Sequence, residues 1–242
     1  MRVAVVSDIH GNIHALEAVL QALALEPPDE LWCLGDLVGY GPRPNECCVA
    51  VAQRASVCLA GNHDLLALGK DVFQTEFNPE AAVAGLWTRS VLGEDARAFL
   101  DGLSSRAAVE GAELFHGSPR DPVWDHVLSR ESMLDALQLT SAPLVLVGHS
   151  HVPIAFSSAS ELAFGPSLAD AEVDLEGVRW LLNPGSVGQP RDGDPRASYL
   201  VLDLEAGGAW FHRIAYDVER AQREIRGEGL PAVLAYRLAG GV

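Results

Sequence analysis

Short apolar runs that end in Asp, His or Asn recur through the first 151 residues, and this feature constrains the fold most strongly. Runs of this length and composition are typical of buried β-strands. They cover residues 2–7, 31–34, 56–60, 113–115 and 144–147. Helices are predicted between the first three runs, over residues 12–24, where Asn12 suits the N-cap, and over residues 44–54, which begin with proline. This β-α-β-α-β order predicts a parallel sheet with helices on its faces.

Side chains that are able to bind metal ions follow all five predicted strands. They are Asp8, His10, Asp36, Asn62, His63, His116, His149 and His151. In open α/β sheets, ligands bind beyond the carboxyl ends of the strands, so we expect these side chains to converge. The chain has eight histidines, and five of them stand in these positions, which makes a chance grouping of surface residues a poor explanation.

The rest of the chain predicts more helices and then a series of short strands. Helices are expected over residues 79–92, 94–103, 129–139, 218–228 and 232–238, and a strand over 107–109 is expected to pair with 113–115. From residue 154 onward, we expect a second and mostly antiparallel sheet, formed by residues 154–157, 171–175, 178–182, 198–203 and 209–214. No linker interrupts the pattern, so the prediction is one α/β domain over residues 1–242, built from two packed sheets.

Composition excludes some classes of partner. The net charge is −16 and Lys70 is the only lysine, so the chain lacks the clustered positive charge that grips long nucleic acids. A small anionic substrate remains compatible with this charge, because bound cations reverse the local sign. No apolar stretch reaches 18 residues and no signal peptide is apparent, so a cytoplasmic protein without a membrane span is expected. Four cysteines lack the spacing of metal or redox motifs and are expected to be reduced and structural; they are Cys33, Cys47, Cys48 and Cys58.

The ordered blocks resemble the calcineurin-like metallophosphoesterase superfamily. The matching blocks are Asp8-x-His10, Gly35-Asp36, Gly61-Asn62-His63-Asp64, His116 and Gly148-His149-x-His151. Three further stretches, residues 36–42, 116–122 and 183–188, are similar to the small prokaryotic phosphodiesterase branch of that superfamily. The resemblance implies a four-layer α/β/β/α sandwich of two packed mixed sheets.

The resemblance also implies a site with two divalent metal ions, of which Mn, Fe, Zn and Ni are candidates. Three residues would bind the first ion, namely Asp8, His10 and His151. Three others would bind the second, namely Asn62, His116 and His149. Asp36 would bridge the ions and offer one carboxylate oxygen to each. Imidazole and carboxylate ligands suit borderline ions, and two such ions can activate a bridging hydroxide that attacks phosphorus.

Four more residues are candidates for catalysis or substrate binding. In the family, the residue matching His63 contacts the phosphoryl group and can protonate the leaving group, and Asp64 would orient its ring. Arg191 would hold a substrate phosphate as a fork, although a surface salt bridge explains it equally well. His14 stands four residues after His10 on the same helical face, where a substrate contact and a surface or capping role are both open.

The expected activity is hydrolysis of small phosphodiesters or phosphomonoesters by attack of the metal-bridging hydroxide. Protein phosphatases of this superfamily carry Asp and Arg after the Gly-Asp block, whereas this chain has Val38-Gly39-Tyr40-Gly41, which argues against a phosphoprotein substrate. Two alternatives are a metal-binding scaffold with little catalysis and a nuclease acting on short oligonucleotides. A scaffold does not need His63, and the net charge disfavours a long polyanion. The sequence leaves the oligomeric state open.

Overall fold

The computed structural model describes residues 1–70, 77–109, 111–159 and 163–242. In chain order, the strands found there are β1 (Arg2–Val6), β2 (Glu30–Cys33), β3 (Val57–Cys58), β4 (Arg106–Val109), β5 (Ala112–Phe115), β6 (Leu144–Val147), β7 (Pro153–Ser157), β8 (Ala163–Phe164), β9 (Glu172–Asp174), β10 (Trp180–Pro184), β11 (Ala197–Asp203) and β12 (Gly208–Ile214). The helices are α1 (Ile13–Leu23), α2 (Pro44–Ala52), α3 (Asn62–Leu68), α4 (Pro79–Val91), α5 (Glu94–Asp101), α6 (Arg130–Gln138), α7 (Val218–Gly227) and α8 (Ala232–Gly240). A short 3₁₀ helix spans Gly165–Leu168.

The strands form two mixed sheets. The first has the order β3-β2-β1-β11-β12-β9, in which β1, β2 and β3 run parallel and the other neighbours are antiparallel. The second has the order β4-β5-β6-β10-β7-β8, in which β5, β6 and β10 run parallel. The parallel strands β1 and β2, and likewise β5 and β6, therefore end at a common edge of their sheet.

Alternation along the strands places apolar side chains on both faces of each sheet. In β1, Val3 and Val5 belong to the core between the two sheets, whereas Ala4 and Val6 pack with helices α1 and α2 on the outer face. In β6, Leu144 and Leu146 likewise join the core between the sheets, and α6 covers the opposite face. The result is the α/β/β/α sandwich of two packed mixed sheets that the family resemblance implied.

One prediction about the sheets is wrong. The strands after residue 153 do not form a sheet of their own, because β7, β8 and β10 join β4–β6, and β9, β11 and β12 join β1–β3. For example, Ala4 in β1 pairs with Val201 in β11 across an antiparallel register. The sequence of a strand that is buried on both faces does not indicate which other strand it pairs with. The sequence pattern therefore could not assign these strands to a sheet.

Local signals in the sequence predicted where α1 and α2 begin. Asn12 Oδ1 accepts a hydrogen bond from Ala15 N at 3.2 Å, which makes Asn12 the N-cap of α1, and α2 begins at Pro44. Helix α3 was missed, because residues 61–64 were read only as a block that follows a strand. The four cysteines form no disulfide. No helix in the described part of the chain is long and apolar enough to cross a bilayer. The assignment of residues 1–242 to one domain stays a prediction.

Candidate metal centre

The predicted metal ligands converge where the parallel strands of both sheets end. Asp8 follows β1, Asp36 follows β2, and Asn62 begins α3 just after β3. His116 follows β5, and the pair His149 and His151 follows β6. With His10, which comes two residues after Asp8, all seven side chains are buried. The convergence that the strand pattern predicted is therefore observed, across 143 positions of sequence from Asp8 to His151.

Asp8, His10 and His151 form a first group of donor atoms within 4.8 Å of one another. The Nε2 atoms of His10 and His151 are 3.1 Å apart. Asp8 Oδ1 lies 3.5 Å from His151 Nε2 and 3.9 Å from His10 Nε2. These are the residues predicted to bind the first ion.

Asp36, His116 and His149 form a second group, whose donor atoms also lie within 4.8 Å of one another. His116 Nε2 lies 3.2 Å from His149 Nδ1 and 3.1 Å from Asn62 Oδ1, which adds the predicted amide oxygen to this group. Asp36 Oδ2 lies 3.6 Å from His116 Nε2 and 3.5 Å from His10 Nε2, so one atom stands between the two groups.

This geometry corrects one detail of the sequence analysis. Asp36 was expected to offer one oxygen to each ion, but its Oδ1 accepts a hydrogen bond from the His63 backbone N–H at 2.9 Å. Oδ2 alone therefore faces both groups. The approach requires glycine at position 61, because a Cβ there would lie 2.0 Å from Asp36 Oδ1.

Backbone carbonyls fix the tautomers of three histidines. His10 Nδ1 lies 3.1 Å from Val38 O, His116 Nδ1 lies 2.9 Å from Leu34 O, and His151 Nδ1 lies 2.6 Å from Gln189 O. A carbonyl only accepts hydrogen bonds, so each Nδ1 carries the proton and a neutral ring presents the lone pair of Nε2 to the centre. Histidines that bind metals are oriented in the same way.

The donor set fits cations and is poorly satisfied without them. With Nδ1 protonated, the Nε2 atoms of His10 and His151 are two acceptors facing each other at 3.1 Å. Asp8 Oδ1 and Asp36 Oδ2 are buried and have no hydrogen-bond partner among the described residues. A buried acceptor without a donor costs about 1–3 kcal/mol. A divalent cation in each group would satisfy these atoms together.

Burial shifts the pKa values of these groups towards their neutral forms. Burial, reinforced by the neighbouring Asp36, raises the pKa of Asp8 to about 7. Burial and the charge of Asp64 raise the pKa of Asp36 well above its usual range. Burial, with the nearby Arg191 and other imidazoles, lowers the pKa values of His10, His149 and His151 well below theirs. Bound cations reverse this preference for the carboxylates, because they favour the charged form.

Backbone strain is concentrated at the same place. Seven non-glycine residues in the described part of the chain have positive φ, and six of them belong to this region. Five are predicted ligands, namely Asp8, His10, Asp36, His149 and His151, and the sixth is Tyr40. Such conformations cost about 1–3 kcal/mol each and persist where the surrounding structure enforces them, most often at functional sites.

The stretch from Asn183 to Gly188 supports the centre from behind. Asn183 Nδ2 donates to Gly148 O at 2.8 Å, and its Oδ1 accepts from Gly185 N at 2.8 Å, where φ is +75°. Ser186 Oγ donates to Asp8 O at 2.7 Å. The segment after β10 in the second sheet thereby holds the strained backbone of Asp8 in the first, and Asn183 and Gly185 form a tight turn.

His63 lies beside the centre, but Asp64 does not orient its ring. The imidazole is buried, and its ring centroid lies 4.9 Å from that of His10. Its donor atom also lies within 4.8 Å of donor atoms of His10 and Asp36, so these three residues form a third group that could bind a metal ion. Asp64 instead accepts hydrogen bonds from Gly61 N at 2.9 Å and Val38 N at 3.1 Å. Asp64 therefore caps α3 and fixes the loop after β2. None of these hydrogen bonds involves the His63 ring, so the prediction that Asp64 orients this ring is wrong.

The two candidates for substrate binding lie in different places. Arg191 lines the cavity above the predicted ligands, where its Nη2 donates to Gln189 Oε1 at 2.9 Å and Tyr40 Oη at 3.3 Å. His14 is not in this cavity: its Nε2 lies 3.1 Å from Glu224 on α7, and it lines a separate surface groove. The helical spacing from His10 did not bring His14 to the site, because α1 begins only at Ile13.

Several residues of the cavity were missed from the sequence. Tyr40 packs against both His10 and His63, with ring centroids 4.6 and 4.4 Å away. Phe77, Trp124 and His126 line the mouth of the same cavity. Tyr40 lies within residues 36–42 and Trp124 lies just after residues 116–122, two of the stretches that resemble the family. Nothing in the sequence was a reason to choose these two residues, because a single aromatic residue in a loop does not indicate a binding role.

Comparison with known proteins defines the family. Residues 1–207 match the model of the calcineurin-like phosphoesterase superfamily domain, so the chain belongs to this superfamily. The crystal structure of a metallophosphoesterase from Sphaerobacter thermophilus is 38% identical and has a TM-score of 0.89, covering 100% of this chain and 99% of that one. Membership makes the chain a metal-dependent hydrolase of phosphoric esters.

Two curated relatives are similar along most of their length. An uncharacterized protein of Methanocaldococcus jannaschii is 36% identical over 242 residues, which are 98% of this chain and 96% of that protein. The phosphodiesterase YfcE of Escherichia coli is 28% identical over 213 residues, which are 84% of this chain and 88% of YfcE. The similarity to YfcE bears out the likeness to small prokaryotic phosphodiesterases.

Proposed function

We propose that the protein is a dinuclear-metal phosphoesterase that hydrolyses small phosphodiesters or phosphomonoesters. The observation that carries the proposal is the position of Asp36 Oδ2, 3.5 Å from a histidine of one ligand group and 3.6 Å from a histidine of the other. Asp8, His10 and His151 hold one ion, and Asn62, His116 and His149 hold the second. Manganese is the ion we expect to support activity first, because the ligand set is nitrogen and oxygen only.

The bound ions would neutralise the phosphoryl oxygens and activate the attacking water. The chain itself positions and protonates the substrate. Arg191, at the cavity wall, offers its guanidinium to a phosphoryl oxygen. His63 supplies a proton to the leaving oxygen. Burial lowers the pKa of His63 in the protein alone, and a phosphate anion beside the ring offsets this because it favours the imidazolium form.

The size and charge of the cavity support a small substrate. Its volume is about 120 Å³, whereas pockets that enclose drug-sized ligands measure about 300–1,000 Å³. It therefore takes about one phosphoryl group, and the net charge of −16 disfavours a long polyanion. The presence of His63 in the wall disfavours a scaffold without catalysis. The name of the similar YfcE supports a diester preference, and a cytoplasmic location is part of the same proposal.

The experiment that tests the function uses chelation and reconstitution. Metal-stripped protein is expected to be inactive, and Mn should restore hydrolysis of bis-p-nitrophenyl phosphate, with p-nitrophenyl phosphate as the monoester comparison. Zn, Fe and Ni are tested in parallel. Full activity in protein that elemental analysis shows to be free of metal would contradict the proposal.

Gly39 provides a test of His63 that leaves every predicted ligand unchanged. Its φ is +88°, and a Cβ there would lie 2.5 Å from His63 Nδ1. Gly39→Ala should displace the imidazole and lower kcat/KM by about tenfold or more for substrates with poor leaving groups, within the ~10²–10⁴-fold of a positioned acid. Metal content should stay unchanged.

The matched control is Gly111→Ala, where φ is +81° but, among the described residues other than its chain neighbours, no atom lies within 4 Å of the added Cβ. Both variants carry a similar backbone penalty of about 1–2 kcal/mol, and only the first touches His63. Equal activity in the two variants would show that the position of His63 does not matter.

A further inference from the structure

In the loop between β5 and α6, only His116 has a part in the proposed chemistry. Residues 116–122 of this loop are nevertheless one of the stretches that resemble the small prokaryotic phosphodiesterases. Hydrogen bonds within the loop hold its shape. Ser118 Oγ donates to Asp125 Oδ2 at 2.6 Å, and Gly117 N donates to Pro122 O at 2.9 Å. Asp121 Oδ1 accepts from the backbone N–H of Trp124 at 3.1 Å. These contacts fix the direction in which Trp124 leaves the loop.

Trp124 reaches the cavity through a chain of aromatic contacts. Its ring meets that of Phe77 in a T-shaped arrangement, with centroids 5.1 Å apart. Phe77 in turn lies 4.9 Å from the ring of His63. On the other side, His126 lies 3.9 Å from the ring of His149. Three rings, those of Trp124, Phe77 and His126, thus border the opening beside the proposed acid and one predicted ligand.

The small volume of the cavity makes this border important. A space of about 120 Å³ takes the phosphoryl group, so the organic part of a substrate must lie across the mouth. Arg191 is the only Lys or Arg among the described residues that line the cavity, and it stands with Tyr40. The part of the mouth formed by Phe77, Trp124 and His126 therefore offers flat apolar surfaces in place of charge. Trp124 and Phe77 are only half-buried, so their surfaces remain accessible.

We propose that Trp124, supported by Phe77, is a stacking platform for a planar aromatic ring carried by the substrate. The preferred substrates are then phosphoesters that bear a nucleoside or an aryl group. This inference rests on the proposed function, because the ring must belong to a molecule whose phosphoryl group occupies the cavity. Stacking of a base on an aromatic side chain changes affinity by about 5- to 150-fold.

The test compares inhibition constants against hydrolysis of bis-p-nitrophenyl phosphate by the Mn-reconstituted enzyme. The inhibitors are adenosine monophosphate, phenyl phosphate and ribose 5-phosphate, of which the last has no ring to stack. In the wild type, at least one aromatic phosphate should bind about 5- to 150-fold more tightly than ribose 5-phosphate. Trp124→Ala and Trp124→Leu should bring this ratio towards one, and Trp124→Phe should retain most of it.

Ribose 5-phosphate should inhibit all these variants equally, which checks that the cavity is intact. The control is Tyr236→Ala, which removes an aromatic side chain that is 68% exposed on α8. A wild-type ratio near one, or a ratio that survives in Trp124→Ala, would overturn the platform. Tighter binding of adenosine monophosphate than of phenyl phosphate assigns the site to nucleosides, and equal binding assigns it to the ring alone. Failure of the proposed function is a different result, namely no hydrolysis in the wild type.

Discussion

Replacing Asp36 with Asn should lower kcat/KM by about 10³-fold or more. The amide keeps the shape of the side chain and the acceptor for the His63 backbone N–H, but it places an NH₂ group where Oδ2 now stands between the two ligand groups. The site loses its shared negative charge, and a donor points towards both cations. Metal-ion stabilisation of transition-state charge is worth several kcal/mol, which sets the expected size of the loss.

The matched control is Asp101→Asn, since Asp101 is an exposed acid paired with Lys70 and neither residue lines the cavity. Its activity and metal content should equal those of the wild type. Elemental analysis of Asp36→Asn should show at least one ion lost per chain. If this variant retained two ions and normal turnover, Asp36 would have no bridging role.

Replacing His63 with Ala should produce the second largest effect, one that depends on the leaving group. A positioned general acid contributes ~10²–10⁴-fold, and the loss should be greatest for alkoxide-like leaving groups, which need protonation in the transition state. Bis-p-nitrophenyl phosphate should suffer less, because nitrophenolate leaves without much help. The measurement is the dependence of kcat/KM on the pKa of the leaving group, with metal content determined on the same samples.

His149→Ala is the comparison for this prediction. His149 Nδ1 lies 3.2 Å from His116 Nε2 in the second ligand group, so its loss should remove an ion and reduce hydrolysis of all substrates together. His63 also lies within reach of His10 and Asp36, which makes metal content the deciding readout. Equal losses across leaving groups in a metal-replete His63→Ala protein would leave His63 as a phosphate contact only.

The sequence predicted which side chains converge because strand ends are a strong constraint. Asp8 and Asp36 follow neighbouring parallel strands of the first sheet, and His116 and His149 follow neighbouring parallel strands of the second, so each pair lies at one edge of its sheet whatever its separation in sequence. The helix caps at Asn12 and Pro44 were also readable, because they depend on residues within one turn. The ligand roles of the converging residues stay predictions.

Contacts between distant segments could not be predicted from local pattern. One partner of Asp64 is the backbone of Val38, and no sequence signal distinguishes that contact from one with the neighbouring His63. The assignment of β11 to the first sheet depends on the packing of whole layers, and the placement of Trp124 depends on loop hydrogen bonds. These features depend on contacts between distant segments, and the local pattern of residue types along the chain does not show such contacts.

The central claim is that two ions lie on either side of Asp36. Anomalous diffraction from crystals of the Mn-reconstituted protein tests it most directly. The account predicts two peaks about 3.5–4 Å apart, the usual separation in two-metal sites. One peak should lie among Asp8, His10 and His151, and the other among Asn62, His116 and His149. A single peak, or two peaks that do not share Asp36, would contradict the dinuclear centre.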